Sequence, residues 1–177
     1  MKEVLTISQL GDPVLRQIAQ PIYNVQEDWV QDLIDRLMET LVQSNGVGIA
    51  APQVSASYRL LIVASRPNPR YPNAPEMEPT VMVNPRLVTH SSEVVKDWEG
   101  CLSVPGIRGL VPRYRTIEIE YTTREGELQR QKLTDFVARI FQHEFDHLNG
   151  MVFLDRLENV QDIITDQEYL KRVVKVA

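Results

Sequence analysis

His143-Glu144-x-x-His147 sets two imidazoles four residues apart, with a carboxylate beside the first. On a helix, residues i and i+4 share a face about one turn apart, so both rings can aim at one point. Such a pair can hold a divalent metal, and the glutamate can then move the proton of a water activated there. The opposing reading is a polar patch on an ordinary helix, because the motif fixes few positions. A catalytic metal site also takes three protein ligands and keeps one position open. The chain holds 3 histidines, and the remaining one, His90, lies in the polar stretch VTHSSE and reads as exposed. Downstream of the motif, Asp155, Glu158 and Glu168 are the carboxylates a zinc-peptidase arrangement would need. Upstream, the single cysteine, Cys101 in WEGCLSVPG, is the stronger candidate for a third ligand. Without that context, one cysteine in a soluble protein reads as a small buried hydrophobe.

The helix that must carry the motif covers roughly residues 134–148. Phe136, Val137, Ile140, Phe141, Phe145 and Leu148 surround much of its circumference, which marks a buried helix. A carboxylate at Glu144 on that helix is costly without a cation or a proton. An earlier helix lies within NVQEDWVQDLIDRLMETLVQSNG, where Val30, Leu33, Ile34, Leu37, Met38 and Leu41 form one stripe. Asn24 with Glu27 resembles a capping box, Asp28 is a rival N-cap, and Asn45-Gly46 is the stop signal. Strand-like runs follow: RLLIVA, then TVMVNPRLV broken by Pro85, then TIEIEY and LQRQKL joined as a hairpin through REGE. Between the first two runs, residues 65–79 hold 5 of the 11 prolines and read as a solvated surface loop. VQDIITDQEYLKRVVK reads as a short amphipathic C-terminal helix. The fold class is therefore α+β: antiparallel or mixed sheets around a central buried helix carrying HExxH, with an N-terminal and a C-terminal helix.

A chain of 177 residues suits one domain spanning 1–177, with a core that needs no disulfide. The formal net charge of -5 argues against DNA or an anionic membrane surface as a partner. One cysteine permits no intramolecular disulfide, and the N-terminus lacks a secretory pattern, so the expected compartment is the cytoplasm.

GVGIAAPQ (46–53), EGCLS (99–103) and QHEFDH (142–147) resemble, in order and spacing, the motifs of the peptide deformylases. The resemblance runs from GDPVLR near residue 11 to FLDRL near residue 157. It implies an enzyme that removes the formyl group from the N-terminal formylmethionine of new polypeptides. By the same resemblance, Cys101, His143 and His147 bind the metal, with a water in the fourth position. Glu144 is the general base and proton shuttle, and the Gln53 side chain and the Leu102 N–H stabilise the oxyanion. The resemblance also implies ferrous iron as the metal in the cell, with zinc, nickel or cobalt able to stand in for it in the purified protein. The partners it implies are formylmethionyl nascent peptides and, transiently, the ribosome, with a monomer as the expected state.

Gly46-Val47-Gly48 could suggest a phosphate loop, but it follows a helix and lacks a third glycine or a lysine. Its glycines instead let backbone approach backbone, and the resemblance has Val47 and Gly48 pair with the substrate as an added strand. Ile140 is placed to line an apolar slot for methionine, with the Gly48–Ile49 region opposite. The resemblance sets Arg108 near the peptide's backbone and carboxyl end; from the residues alone it is a surface arginine. Glu99 is expected to anchor the cysteine loop by pairing with Arg113. SVPG after the cysteine and Asp135 in LTDFVARIF depart from many relatives, and neither touches a ligand. Intact Glu144 and Gln53 disfavour a peptide-binding module without turnover.

Overall fold

The computed structural model describes residues 3–175. Its elements are α1 (Asp28–Gln43), β1 (Gly48–Ala50), β2 (Leu60–Val63), β3 (Thr80–His90), β4 (Val94–Cys101) and β5 (Val104–Tyr114). They continue as β6 (Thr116–Thr122), β7 (Leu128–Thr134), α2 (Asp135–Leu148), β8 (Ile163–Thr165) and α3 (Asp166–Tyr169), which runs into a π-helical turn over Leu170–Val174. One sheet is ordered β1-β2-β3-β6-β7 and the other β4-β5-β8, and every pairing is antiparallel.

All four residues of β2 are buried because helices cover both faces of its sheet. Leu61 and Val63 pack with Ile140 and Phe141 of α2, while Leu60 and Ile62 pack with Ile34 and Leu37 of α1. Behind α2, Val111 of β5 joins Val104, Val152 and Phe153 in a further apolar cluster. With a sheet on each side, α2 is buried through most of its length, which explains its apolar circumference.

Several local expectations change. The N-cap of α1 is Glu27, which makes no side-chain capping bond, and Asn24 instead accepts from the Gln26 N–H within its own turn. Pro85 does not end β3. The strand passes it through a bulge, with Asn84 at φ 48 and its amide bonded to both backbone groups of Ile22. The C-terminal stretch opens with a single 3-10 turn at Val160–Asp162 and becomes α-helical only from Asp166, because Ile163–Thr165 is taken up as the third strand beside β5. Asp135 sits at φ 51, a left-handed backbone that favours glycine and that aspartate tolerates better than most residues.

Candidate metal centre

Cys101 ends β4 at the tight β4–β5 connection, opposite Val104, just past a register shift after Glu99. His143 and His147 lie one turn apart on α2. The sulfur and the two imidazoles offer donor atoms that all lie within 4.8 Å of one another, and Cys101 Sγ is 3.3 Å from His147 Nε2. Tetrahedral bonds of about 2.0–2.3 Å separate donor atoms by about 3.5 Å, so the trio needs only a slight contraction around an ion.

The ring of His143 is oriented by Glu99, whose Oε2 lies 2.9 Å from Nδ1, leaving Nε2 for the centre. Glu99 is itself gripped by a fork. Arg113 donates from Nε at 2.8 Å and from its second amino group at 2.9 Å, and Arg139 donates at 2.9 Å. Arg113 also donates to Asp146 at 2.6 Å, and Arg139 reaches the carbonyls of Val95 and Val111. Thus α2 is fastened to β4 and β5 by buried charges with partners on every side, the condition under which such charges are tolerated. Burial alone would raise Glu99, but the Arg113 charge and its hydrogen bonds, with those of His143, hold the carboxyl far below its usual range. Arg113 moves the opposite way: burial would lower it, and Glu99 and Asp146 raise it.

The histidines differ. Burial would lower His143, yet the Cys101 sulfur and Glu99 hold it well above the ordinary value. Burial, then the charges of His143 and Arg113, push His147 well below. Glu144 is buried and pushed up to about 7 by desolvation. Among the described residues its Oε2 has no hydrogen-bond partner, and neither has Nδ1 of His147. An unpartnered carboxylate oxygen beside a thiol and two imidazoles fits a site completed by a cation and its water.

Gln53 is buried. Its Oε1 accepts from the Ala50 N–H at 2.9 Å, and its Nε2 donates to Ser103 Oγ at 3.2 Å and toward Cys101 Sγ at 3.5 Å. The amide end therefore faces the donor cluster. Leu102 follows the cysteine in the connection to β5, with its side chain packed toward α1. At Gly48 a Cβ would stand 2.6 Å from Glu144 Oε1 and 2.7 Å from Ile140 Cγ2, so glycine is required for α2 to approach this closely. β1 is the terminal strand of its sheet, and among the described residues no strand pairs with its outer edge.

Gly46, Val47, Gly48, Gln53, Leu102, Arg108, Ile140, His143 and Glu144 all line one cleft with Cys101. Ile49 does not face it: its side chain is buried on the α1 side of the sheet. Arg108 is not a surface arginine. It is 3% exposed, ion-paired to Asp166 at 2.8 Å and stacked 4.4 Å from the Tyr169 ring centroid. The expected Glu99–Arg113 pair forms. His90 is exposed and stacks on Tyr114. The downstream carboxylates are engaged elsewhere: Asp155 pairs with Arg16, Glu158 with Lys96, and Glu168 lies 4.0 Å from Arg172. Among the described residues none of them joins the donor cluster, which removes the zinc-peptidase arrangement.

Sequence reasoning missed Arg139, Tyr71 and Trp98, which also line the cleft. Arg139 was detectable as the lone charge within the apolar run Phe136–Phe141, four residues before His143. The other two carried no local signal.

The model of the polypeptide deformylase family matches residues 4–162. Peptide deformylase 2 of Nostoc sp. is 64% identical over 173 residues, covering 98% of this chain and 97% of its own. Peptide deformylase 2 of Shewanella oneidensis is 45% identical over 164 residues, covering 93% and 90%. A Met-Ala-Ser-bound crystal structure of a class I type b peptide deformylase from Acinetobacter baumannii superimposes with a TM-score of 0.87 at 48% identity, covering 89% of this chain and 100% of that one.

Proposed function

The chain belongs to the polypeptide deformylase family and is a metal-binding hydrolase of that class, and from that premise we propose how its residues divide the work. Cys101, His143 and His147 hold one divalent ion, ferrous iron in the cell, with zinc, nickel and cobalt accepted by the same donors. When bound, that ion supplies a Lewis acid and a water of lowered pKa. Glu144 would take up at Oε2 the proton given up by the attacking water and hand it to the leaving amine. Its burial supports this role, because desolvation raises the carboxyl and so opposes the downward pull that a bound cation exerts, keeping it able to take and release a proton. Gln53 Nε2 and the Leu102 N–H donate to the formyl oxygen as it gains charge.

The free edge of β1 receives the peptide backbone along Gly46, Val47 and Gly48, and the methionine side chain lies along Ile140. Arg108 contributes a cation to the wall met by the rest of the peptide. The substrate is a formylmethionyl peptide. The Met-Ala-Ser bound to the Acinetobacter baumannii relative supports that choice, since it is such a peptide without its formyl group. In this reading the whole chain acts as one monomeric catalytic domain in the cytoplasm, meeting nascent chains at the ribosome. Among the described residues no helix is long and apolar enough to cross a membrane.

The observation that carries the assignment is the unpartnered buried oxygen of Glu144 next to the sulfur and two imidazoles. The test is formate release from formyl-Met-Ala-Ser by anaerobically loaded protein. Glu144→Gln should keep its metal and lose about 10²- to 10⁴-fold in kcat. A variant with normal turnover would remove Glu144 from the mechanism.

A further inference from the structure

The proline-rich segment between β2 and β3 does not simply coat the surface. Asn68 folds it back, accepting from the N–H groups of Arg70 and Tyr71 at 3.0 and 3.1 Å. That turn sends the Tyr71 ring inward onto Phe136, with centroids 4.9 Å apart and planes tilted by 50°. Arg108 donates to the Tyr71 hydroxyl at 2.7 Å, with its guanidinium 5.2 Å from that ring's centroid and 4.4 Å from that of Tyr169. Asp166 fixes the guanidinium at 2.8 Å, and the Tyr169 hydroxyl donates to the Arg70 carbonyl at 3.0 Å. Loop, β5 and C-terminal helix thus converge on one aromatic ring.

The ring's place along the cleft follows from α2. Phe136, Ile140 and Glu144 are spaced by four, so they share one helix face, and all three line the cleft. At about 1.5 Å per residue, Ile140 lies about 6 Å and Phe136 about 12 Å along the axis from the general base. Seen from Glu144, Phe136 and the Tyr71 ring packed on it therefore stand beyond Ile140 along this face of the cleft.

We propose that Tyr71 is a specificity-determining residue: it closes the far end of the slot for the first side chain, and Arg108, with Asp166 and Tyr169 behind it, is the positioning residue that holds it there. This rests on the deformylase reading and deepens it, by assigning the length limit of the accepted residue to the proline-rich loop.

The test compares formyl-Met-Ala-Ser with the same peptide carrying 2-aminooctanoate, whose straight side chain is two heavy atoms longer. In Tyr71→Ala the ratio of kcat/KM for the longer over the methionyl substrate should rise by about tenfold or more, the scale on which apolar slots discriminate by length. Tyr71→Phe keeps the ring and should hold that ratio near wild type. Tyr71→Leu, smaller than tyrosine but still apolar, should fall between. Calorimetric binding of the two deformylated peptides reads the slot without turnover and should shift in the same sense. A ratio unchanged in Tyr71→Ala, or both substrates weakened by one common factor, overturns the proposal. Absence of formate from the wild-type protein would instead overturn the deformylase reading, and the peptide affinities would still decide whether Tyr71 is the wall.

Discussion

Glu99→Gln keeps the shape of the side chain that orients His143 and removes its charge. In the native protein that carboxylate, 3% exposed, accepts two bonds from Arg113, one from Arg139 and one from His143 Nδ1. Glutamine offers one acceptor oxygen and an NH2 group that cannot face a guanidinium, so at least one of the two arginines loses its anion while buried. Breaking a buried ion pair from one side costs about 3–5 kcal/mol. Arg113 retains Asp146 at 2.6 Å, which favours the lower end of that range. At about 2–4 °C per kcal/mol for a chain of this length, the midpoint of thermal unfolding should fall by roughly 6–12 °C. The same change frees the His143 ring from its orienting acceptor, and loss of such a contact typically weakens metal binding about 10- to 100-fold. Scanning calorimetry of metal-free protein and zinc competition against a chelator measure the two effects separately. A variant that unfolds within about 2 °C of wild type and binds zinc equally well would refute the claim that Glu99 joins the sheet to the centre.

Gly48→Ala introduces a Cβ 2.6 Å from Glu144 Oε1, so kcat for formyl-Met-Ala-Ser should drop at least about tenfold while the fold loses about 1–3 kcal/mol; normal kcat would mean that α2 can yield there. In metal-free protein the Glu144 carboxyl should titrate near pH 7, because burial favours its neutral form, and a bound cation should shift that titration downward; carbon NMR of labelled glutamate against pH reads both. His143, held well above its ordinary value without metal, must surrender its proton to coordinate, so zinc binding near neutral pH should release protons into a weakly buffered solution; loading without release would contradict that protonation state. Ferrous protein handled in air should lose activity while its unfolding midpoint stays fixed, and equal activity from aerobic and anaerobic preparations would count against iron.

What was legible in the sequence follows the range of the interactions involved. The two helices and the β6–β7 hairpin announce themselves through periodicity, a local property, and α1, α2 and the hairpin stand within a few residues of where the pattern puts them. The β4–β5 hairpin, the most extensive pairing that touches the site, was not legible. Val94–Asp97 is exposed along one edge, and β5 contains Pro105, Gly106 and Pro112, which local rules read as loop. Ile163–Thr165 looked helical because its apolar spacing fits either period, and only the neighbouring Ile107–Gly109 edge decides for strand. At the centre, HExxH was plain from spacing alone, whereas Cys101 gained its role from the company of three motifs. Arg139 and Tyr71 act through partners more than thirty residues away in sequence, a relation no local pattern carries.

The account depends most on one sulfur and two imidazole nitrogens sharing an ion. X-ray absorption at the zinc edge of the stoichiometrically loaded protein measures that directly. It should show one sulfur at about 2.3 Å and two imidazole nitrogens at about 2.0–2.1 Å, with Cys101→Ser abolishing the sulfur shell. A first shell of nitrogen and oxygen alone in the unaltered protein would contradict the account.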